Sequence, residues 1–464
     1  MRYFVLLLAL SLPNAAPAQS PSPETPSVYA AGARADRIVL TPGDDPARSM
    51  SVAFRTGEGQ TTAQAEISAA LDGPGLERTA RLVQGASTPI ETQNGGALYH
   101  QVRFIDLEPT TTYAYRVKGE AGWSEWLQFR TAADDDRPFQ FIYLGDTQND
   151  ILANGARTIR QAQRAAPDAA LMIHAGDLVA QGRTGNHDDE WGQWTRAGGH
   201  GFAMTPQLPV AGNHEYVAKV DADGGRHDIL GPHWPLQFAL PGGGAPGLEA
   251  TTYVLDHQGV RFIALDGTAA LADSDLLDRQ TVWLEHALTD TAARWKIVMV
   301  HQPLFTCARP QNTPRLETAW RPVLEAGGAD LVLQGHDHCY SRISSPDRLR
   351  NDAATPDADV GPVYVVSVAG PKMYQLNDRA AAQSDRVAED TQLYQVLTAS
   401  PERLAYRAYT VAGRLYDAFD IEVDGGAKRI VPVRLDRAEE RVCVGDLGPD
   451  GLPCSGRDLS RLLE

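Results

Sequence analysis

Basic residues are scarce in this sequence. Its 464 residues include 42 Lys and Arg against 59 Asp and Glu, which gives a formal net charge of −17 at pH 7. A chain with this balance lacks the broad basic face that follows a nucleic-acid backbone, and nothing supports a basic membrane-surface helix. We therefore expect no nucleic-acid partner.

Long hydrophobic runs are rare as well. The apolar run at residues 4–10 follows Arg2 and is too short to span a bilayer. It leads to Ala16-Pro17-Ala18, a small-residue pattern typical of a signal-peptide cleavage site. We predict a signal peptide at 1–18 and a Pro/Ser linker at 19–28. The mature protein should then be periplasmic or secreted, with no membrane span.

Cysteine is limited to four residues. Export permits disulfides, and Cys443 and Cys454 flank a short Gly/Pro-rich stretch that they can close into a loop. Cys307 and Cys339 each follow a polar motif described below, and they can pair if those motifs converge in space. The alternative is that Cys307 and Cys339 are two free, buried side chains.

The length predicts two or three domains, and an apolar fraction of 43% excludes wholesale disorder. Residues 29–132 show short alternating strands with turn signals, and Tyr113 follows a segment that suits the tyrosine corner of a β-sandwich. This region resembles a fibronectin type III domain. After an acidic break, residues 137–424 alternate strand and helix patterns, which predicts a layered α/β domain. Residues 425–464 form a C-terminal extension with the expected Cys443–Cys454 disulfide.

Five apolar runs of the second region each end in polar residues. Because the carboxyl ends of strands meet at one edge of an α/β sheet, we expect these residues to lie close together. The candidates are Asp146, Gln148, Asp177, Asn213, His214, His301, His336 and His338.

Carboxylate, amide and imidazole donors without a thiolate suit Mn, Fe, Zn or Ni better than a structural zinc. The set is too large for one ion. With Asp177 as a bridge it suits the paired ions of a two-metal hydrolase. Two divalent ions would also keep the pocket locally positive within an acidic protein.

The order Asp-x-Gln, Gly-Asp, Gly-Asn-His-Glu, His and Gly-His-x-His resembles the metallophosphoesterase (calcineurin-like) superfamily. The sandwich in front and residues 335–342 resemble its purple acid phosphatase branch. The resemblance extends to about residue 424 and implies a four-layer α/β/β/α catalytic domain.

By matched position, the resemblance also implies roles for the candidate residues. Asp146, Asp177 and His338 would bind the first metal, and Asp177, Asn213, His301 and His336 the second. His214 would contact the phosphate beside Asn213 and assist protonation of the leaving group. A hydroxide bridging the two ions would be the nucleophile.

Two positions depart from the family pattern. Ala180 stands where purple acid phosphatases place a metal-binding Tyr, so the basis for ferric iron is lost and divalent ions are favoured. Gln148 stands where other members have His or Gly. Its amide oxygen either ligates a metal directly, which we favour, or only orients water.

Other polar residues have plainer explanations. We expect His174 to be a hydrogen-bonded core residue and Asp337 to point away from the site. Arg183 and Arg342 either contact a phosphate or form salt bridges. The remaining loop histidines are expected at the surface; they are His187, His200, His227 and His233.

We therefore predict an exported binuclear metal-dependent phosphomonoesterase that acts on a small phosphorylated substrate. One alternative is a phosphodiesterase for nucleotides or lipid headgroups, since the choice depends on loops 181–207 and 216–250. The other is a secreted binding protein on a non-catalytic scaffold. The sequence does not determine the oligomeric state.

Overall fold

The computed structural model describes residues 27–180, 188–221, 223–344, 361–424 and 427–457. The predicted signal peptide, Arg183 and His187 lie outside these ranges. Within them, no helix has both the length and the hydropathy that a membrane crossing requires.

The N-terminal domain consists of two antiparallel sheets packed face to face. Its strands are β1 (Asp36–Pro42), β2 (Met50–Thr56), β3 (Gln64–Ala69), β4 (Arg81–Gln84), β5 (Ala86–Thr92), β6 (Gly95–Phe104), β7 (Thr112–Gly119), β8 (Gly122–Trp123) and β9 (Leu127–Arg130). One sheet has the order β1-β2-β6-β5, and the other β4-β3-β7-β8 with β9 also paired to β7. Phe54, Phe104 and Tyr115 fill the space between them. The Tyr113 hydroxyl accepts a hydrogen bond from Glu108 N at 2.8 Å, as in a tyrosine corner.

The second domain contains two seven-stranded sheets and a hairpin. Its strands are β10 (Phe139–Leu144), β11 (Leu171–His174), β12 (Gln207–Pro209), β13 (Tyr216–Val220), β14 (Arg226–Leu230), β15 (Tyr253–His257), β16 (Val260–Leu265), β17 (Trp295–Val300), β18 (Leu331–Gln334), β19 (Tyr340–Ile343), β20 (Val363–Val366), β21 (Arg386–Ala388), β22 (Leu393–Ala399), β23 (Arg403–Thr410), β24 (Leu415–Asp424) and β25 (Ala427–Pro432). The first sheet has the order β12-β11-β10-β22-β23-β24-β25, and the second β15-β16-β17-β18-β20-β19-β21. Because β25 pairs with β24, the first sheet continues past the predicted boundary at residue 424.

The described part of the second domain contains eight α-helices. They are α1 (Ala156–Ala165), α2 (Asp188–Gly198), α3 (His200–Met204), α4 (Trp234–Gln237), α5 (Gly267–Ala272), α6 (Ser274–Thr289), α7 (Pro314–Ala326) and α8 (Asp378–Gln383). The short helices α3 and α4 contact strands of the N-terminal domain.

Alternate side chains of each strand point to opposite faces, so the central strands are apolar on both. The inner faces of the two sheets pack together, for example through Tyr143 and Met299. The outer face of the first sheet packs on α1 and α2, and that of the second on α6 and α7. The predicted sandwich followed by an α/β/β/α domain is confirmed.

A buried charged cluster joins the two domains. Arg37 on β1 donates to Asp188 Oδ1 at 2.6 Å, and Arg55 on β2 lies 3.3 Å from both oxygens of that carboxylate. Asp188 begins α2, whose Glu190 accepts a hydrogen bond from Ala180 N at 2.7 Å. The N-terminal domain is thereby connected to the loop that carries Asp177.

Two disulfides are present: the expected Cys443–Cys454 bond, and the Cys307–Cys339 bond that the sequence analysis left open. Cys307 pairs with Cys339 across 32 residues, and Cys443 pairs with Cys454 across 11. The Cys307–Cys339 bond joins the loop after β17 to the loop after β18, and each of these loops carries one of the polar motifs. These two motifs therefore converge in space, as their pairing required.

Candidate metal centre

The candidate ligands lie at the carboxyl ends of parallel strands from both sheets. In the first sheet β10, β11 and β12 run parallel, and they lead to Asp146, Asp177 and Asn213. In the second sheet β17 and β18 run parallel, and they lead to His301 and His336. The two sheet edges meet here, because His336 N donates to Asp146 Oδ2 at 2.7 Å.

Two groups of ligand atoms share one aspartate. Asp146, Asp177 and His338 form the first group, and Asp177, His301 and His336 form the second, with the ligand atoms of each group within 4.8 Å of one another. Asn213 joins the second group, since its Oδ1 lies 3.3 Å from His301 Nε2. Asp177 is thus positioned to bridge two ions.

Backbone carbonyls orient two of the imidazoles. His301 Nδ1 donates to Ala175 O at 2.7 Å, and His338 Nδ1 donates to Lys372 O at 2.9 Å. The donation through Nδ1 leaves each Nε2 free to accept or to ligate. His301 Nε2 lies 3.2 Å from Asp177 Oδ1, and His338 Nε2 lies 3.6 Å from Asp146 Oδ1.

Left-handed backbone conformations turn several ligands inward. Asp177, His336 and His338 have φ values of +51°, +72° and +49°, which non-glycine residues adopt at some energetic cost. Gly176 precedes Asp177, and a Cβ on it would lie 2.6 Å from His301 Nδ1. Glycine at this position therefore allows the loop and the imidazole to approach.

Glu215 is a residue of the site that the sequence analysis did not assign. Its buried carboxylate accepts from Asp177 N and Leu178 N at 2.8 Å, and from Gly212 N at 2.7 Å. It clamps the Asp177 loop to the loop that carries Asn213 and His214. The signal available was its place directly after Asn213 and His214 in the motif.

The site concentrates buried acidic groups. Burial raises the pKa of Asp146, and the Asp177 carboxylate adds to the rise. Burial and the same neighbour raise the pKa of Glu215. Burial alone would lower the pKa of His301, but Asp177 and Asp146 raise it to about 9. Asp146 and Glu215 therefore resist ionisation beside the Asp177 carboxylate, whose pKa is lowered by the neighbouring His301 despite its burial. A bound cation would relieve this repulsion.

Several buried polar atoms of the site have no hydrogen-bond partner among the described residues. They include Asp146 Oδ1, Gln148 Oε1 and His214 Nδ1. Buried oxygen and nitrogen atoms are costly to leave unpaired. Unpartnered oxygen and nitrogen atoms that converge from carboxylate, amide and imidazole groups are suitable ligands for divalent transition-metal ions. The residues present therefore fit two metals.

Gln148 and His214 lie at this centre in different ways. Gln148 Nε2 donates to Asp177 Oδ2 at 2.8 Å, so the amide nitrogen and not the oxygen faces the shared carboxylate. Direct ligation through the oxygen requires the amide to turn over. His214 is about a quarter exposed and its Nε2 lies 3.9 Å from Asp177 Oδ2, which places it at the mouth of the site.

Arg342 is placed differently from its predicted role as a substrate contact. Its guanidinium lies 2.7 Å from Asp417 Oδ2 and 3.2 Å from Asp385 Oδ2. Two carboxylates neutralise it, so the salt-bridge alternative describes Arg342. Asp337 points away as expected and accepts from Cys307 N at 2.6 Å.

The remaining histidines divide into core and surface residues. His174 is buried and hydrogen bonded to Gln207 at 2.7 Å, as expected. His200 and His227 are exposed. His233 is buried beside Asp188 at 3.2 Å, so its predicted surface position is wrong. The buried charge of Asp188, which the sequence does not reveal, accounts for the difference.

Two family models match the chain. Residues 35–131 match the purple acid phosphatase N-terminal domain, and residues 139–340 match the calcineurin-like phosphoesterase model. An uncharacterized protein of Mycobacterium tuberculosis is 27% identical over 290 residues, covering 55% of this chain and 53% of that protein. Purple acid phosphatase 15 of Arabidopsis thaliana is 23% identical over 297 residues, covering 58% and 53%. The chain thus spans about half the length of these curated relatives.

Solved structures share the fold. Purple acid phosphatase PPD1 from yellow lupin (Lupinus luteus) seeds has a TM-score of 0.67 at 17% identity, covering 84% of this chain and 75% of that one. PhoD has a TM-score of 0.59 at 12% identity, covering 87% and 92%. At these identities the likeness concerns the fold alone. The two family models, in the order in which they occur, show that the chain belongs to the calcineurin-like phosphoesterases that carry a purple acid phosphatase N-terminal domain.

Proposed function

We propose that this protein hydrolyses phosphate monoesters with two divalent metal ions, as an exported enzyme. The observation that carries the proposal is the pair of ligand groups that share Asp177. The presence of a purple acid phosphatase among the relatives supports a phosphatase.

When bound, the two ions would supply an activated water and stabilise charge on the phosphoryl oxygens. The chain would hold them with Asp146, Asp177, His338, Asn213, His301 and His336. Asn213 and His214 border the accessible side of the site. His214 would bind a phosphoryl oxygen and donate a proton to the leaving oxygen, because its imidazole is partly exposed and lies beside the ligands.

We expect the two metal ions to be divalent. Ala180, at the position of the family's metal-binding Tyr, offers no ligand atom, and its backbone N–H is used by Glu190. A site of two carboxylates, an amide and imidazoles provides no phenolate to stabilise a trivalent ion. Mn, Zn and ferrous iron remain as candidates.

Two disulfides support an oxidising location. A periplasmic or secreted enzyme is consistent with the predicted signal peptide, which lies outside the described residues.

The test is metal-dependent turnover. The protein is stripped with a chelator and reloaded with Mn or Zn, and bound metal is counted by elemental analysis. We expect two ions per chain and faster hydrolysis of 4-nitrophenyl phosphate than of bis(4-nitrophenyl) phosphate. Faster hydrolysis of the diester would favour the phosphodiesterase. A folded, inactive protein without metal after reloading would favour the secreted binding protein.

A further inference from the structure

The C-terminal segment, residues 433–457, folds back over the catalytic domain. Ala438 N donates to Leu415 O at 2.8 Å, and the Arg441 guanidinium bridges Asp390 and Asp450 at 2.7 Å each. The Cys443–Cys454 disulfide closes the loop that follows. The segment therefore has a defined path, and it lies beyond the part of the chain that the family models match.

Its last described residue pairs with the loop that holds His338. Arg457 O accepts from Gln375 N at 2.9 Å, and Arg457 N donates to Met373 O at 3.2 Å. One residue earlier in that loop, Lys372 O accepts from His338 Nδ1. Arg457 is thus one loop away from a candidate metal ligand.

A cleft of about 340 Å³ opens between this loop and the residues that follow Gln148. It is lined by Asn149, Asp150, Lys372, Tyr374, Ser455 and Arg457, among others. The cleft therefore adjoins the candidate metal centre on two sides, through Gln148 and through His338.

The two cations of the cleft are the half-buried Lys372 and the exposed Arg457. Arg342 and Arg441 each have two carboxylate partners. Within the described part of the chain, neither Lys372 nor Arg457 forms an ion pair; the Lys372 Nζ lies 5.4 Å from the centre of the Tyr374 ring. Against them stands one lining carboxylate, Asp150. The described residues that line the cleft therefore carry two positive charges and one negative charge, in a protein of net charge −17.

We propose that this cleft binds a second anionic group of the substrate. The inference rests on the proposed phosphoesterase function and narrows its substrate class. The substrates would be phosphate monoesters whose leaving group carries a carboxylate or a further phosphate. The reacting phosphate would lie at the metal centre, and Lys372 and Arg457 would bind the other anion.

The test compares phenyl phosphate with two esters of similar leaving-group acidity, 4-(carboxymethyl)phenyl phosphate and 4-(phosphonomethyl)phenyl phosphate. The metal-loaded full chain should show a higher kcat/KM for the charged esters. Arg457→Gln and Lys372→Gln should each lower that preference about two- to fivefold, the range for an exposed charge pair. The relative size of the two preferences distinguishes a carboxylate from a phosphate as the favoured group.

Arg434→Gln is the matched control, because Arg434 is exposed in the same segment and does not line the cleft. It removes the same charge and should leave the preference unchanged. The dissociation constants of benzylphosphonate and 4-carboxybenzylphosphonate, measured by calorimetry, should shift in parallel with the kinetic preference. Raising the salt concentration should reduce the preference in the wild type.

The outcomes separate the two proposals. No turnover of any ester by the metal-loaded protein would overturn the phosphoesterase function and the subsite with it. Turnover with a preference that Arg457→Gln and Lys372→Gln leave unchanged, or that Arg434→Gln lowers equally, would overturn the subsite alone.

Discussion

Two buried acidic residues of this protein have contrasting surroundings. Asp188, between the domains, is neutralised by the guanidinium groups of Arg37 and Arg55. Asp177, at the sheet edges, is surrounded by imidazoles, the Gln148 amide and a second carboxylate, Asp146. Both are almost completely buried.

The difference concerns the source of the compensating charge. A buried carboxylate with cationic side chains beside it is complete within the fold, and removing it leaves those cations uncompensated. A carboxylate among ligand atoms needs a cation from solution. We therefore expect Asp188 to act on stability and Asp177 to act on metal binding.

Asp177→Asn should have the largest effect. Without the shared carboxylate both ions lose a ligand, so we expect loss of bound metal and a fall in kcat of about 10³-fold or more. Elemental analysis and turnover of 4-nitrophenyl phosphate measure the two effects. The metal-free variant should unfold at a urea concentration close to that of the metal-free wild type. Two ions per chain in the variant would contradict the bridging role.

His214→Ala should separate chemistry from metal binding. The imidazole lies at the mouth of the site, so the variant should keep its metal and lose about 10²–10⁴-fold in kcat if His214 is the proton donor. The fall in kcat should be smaller for a substrate with a more acidic leaving group, which needs less protonation. Unchanged rates on all substrates would remove His214 from the mechanism.

Asp188→Asn is the counterpart of Asp177→Asn, with the same chemical change at the other cluster. It leaves Arg37 buried without its ion-pair partner, whereas Arg55 keeps Asp36 at 2.7 Å. We expect a loss of about 3–5 kcal/mol in unfolding free energy. Urea denaturation measures this loss. Metal content should stay at the wild-type value in the protein that remains folded. If Asp188→Asn lost metal without losing stability, Asp188 would support metal binding and not the stability of the fold.

His174→Gln tests a buried neutral group beyond both clusters. Burial lowers the pKa of His174 from 6.5 to about 4. Since the folded-state pKa is depressed, the contribution of His174 to stability is complete above pH 6.5 and is lost as the pH falls toward 4. The stability difference between wild type and variant should therefore change by about 3 kcal/mol between pH 7 and pH 4. Urea unfolding of the metal-free proteins measures this difference. If the unfolding free energies of wild type and variant changed with pH in the same way, the lowered pKa of His174 would be refuted.

Gln148→Ala should have the smallest effect. If the amide turns over and ligates, we expect a loss of about 10–100-fold in affinity for one of the two ions, as for ligand-supporting groups. Titration with Zn or Mn in a competing chelator measures this affinity. Gln148→Glu, which restores an oxygen donor, should recover the binding. Equal affinities in all three proteins would exclude Gln148 as a metal ligand and leave it the role of orienting water.

The candidate ligands could be predicted from the sequence because each motif is local. An apolar run followed by polar residues places Asp146 or His301 at the end of a strand. Parallel strands bring those ends to one edge of the sheet. The same convergence made a disulfide between Cys307 and Cys339 possible, while the alternative of two free thiols stayed open. Two sheets and their covering helices follow from the alternation of patterns together with the family resemblance.

Other features depend on partners that are distant in sequence. The ion pair of Arg342 with Asp417 spans 75 residues, and that of Arg37 with Asp188 spans 151. No local pattern marks such a pair, so a phosphate contact stayed open for Arg342 beside a salt bridge, and His233 was expected at the surface. The path of the C-terminal segment was equally hidden, because backbone hydrogen bonds to the loop at Met373 fix it.

The Cys307–Cys339 bond joins the two loops that carry the imidazole ligands of the second sheet. Cys339 directly follows His338, and Cys307 lies in the loop that begins at His301. The Asp337 carboxylate joins the same loops a second time, because it accepts from Cys307 N at 2.6 Å and from Ala308 N at 2.9 Å. A covalent bond and two hydrogen bonds therefore hold these loops together at one point of the fold.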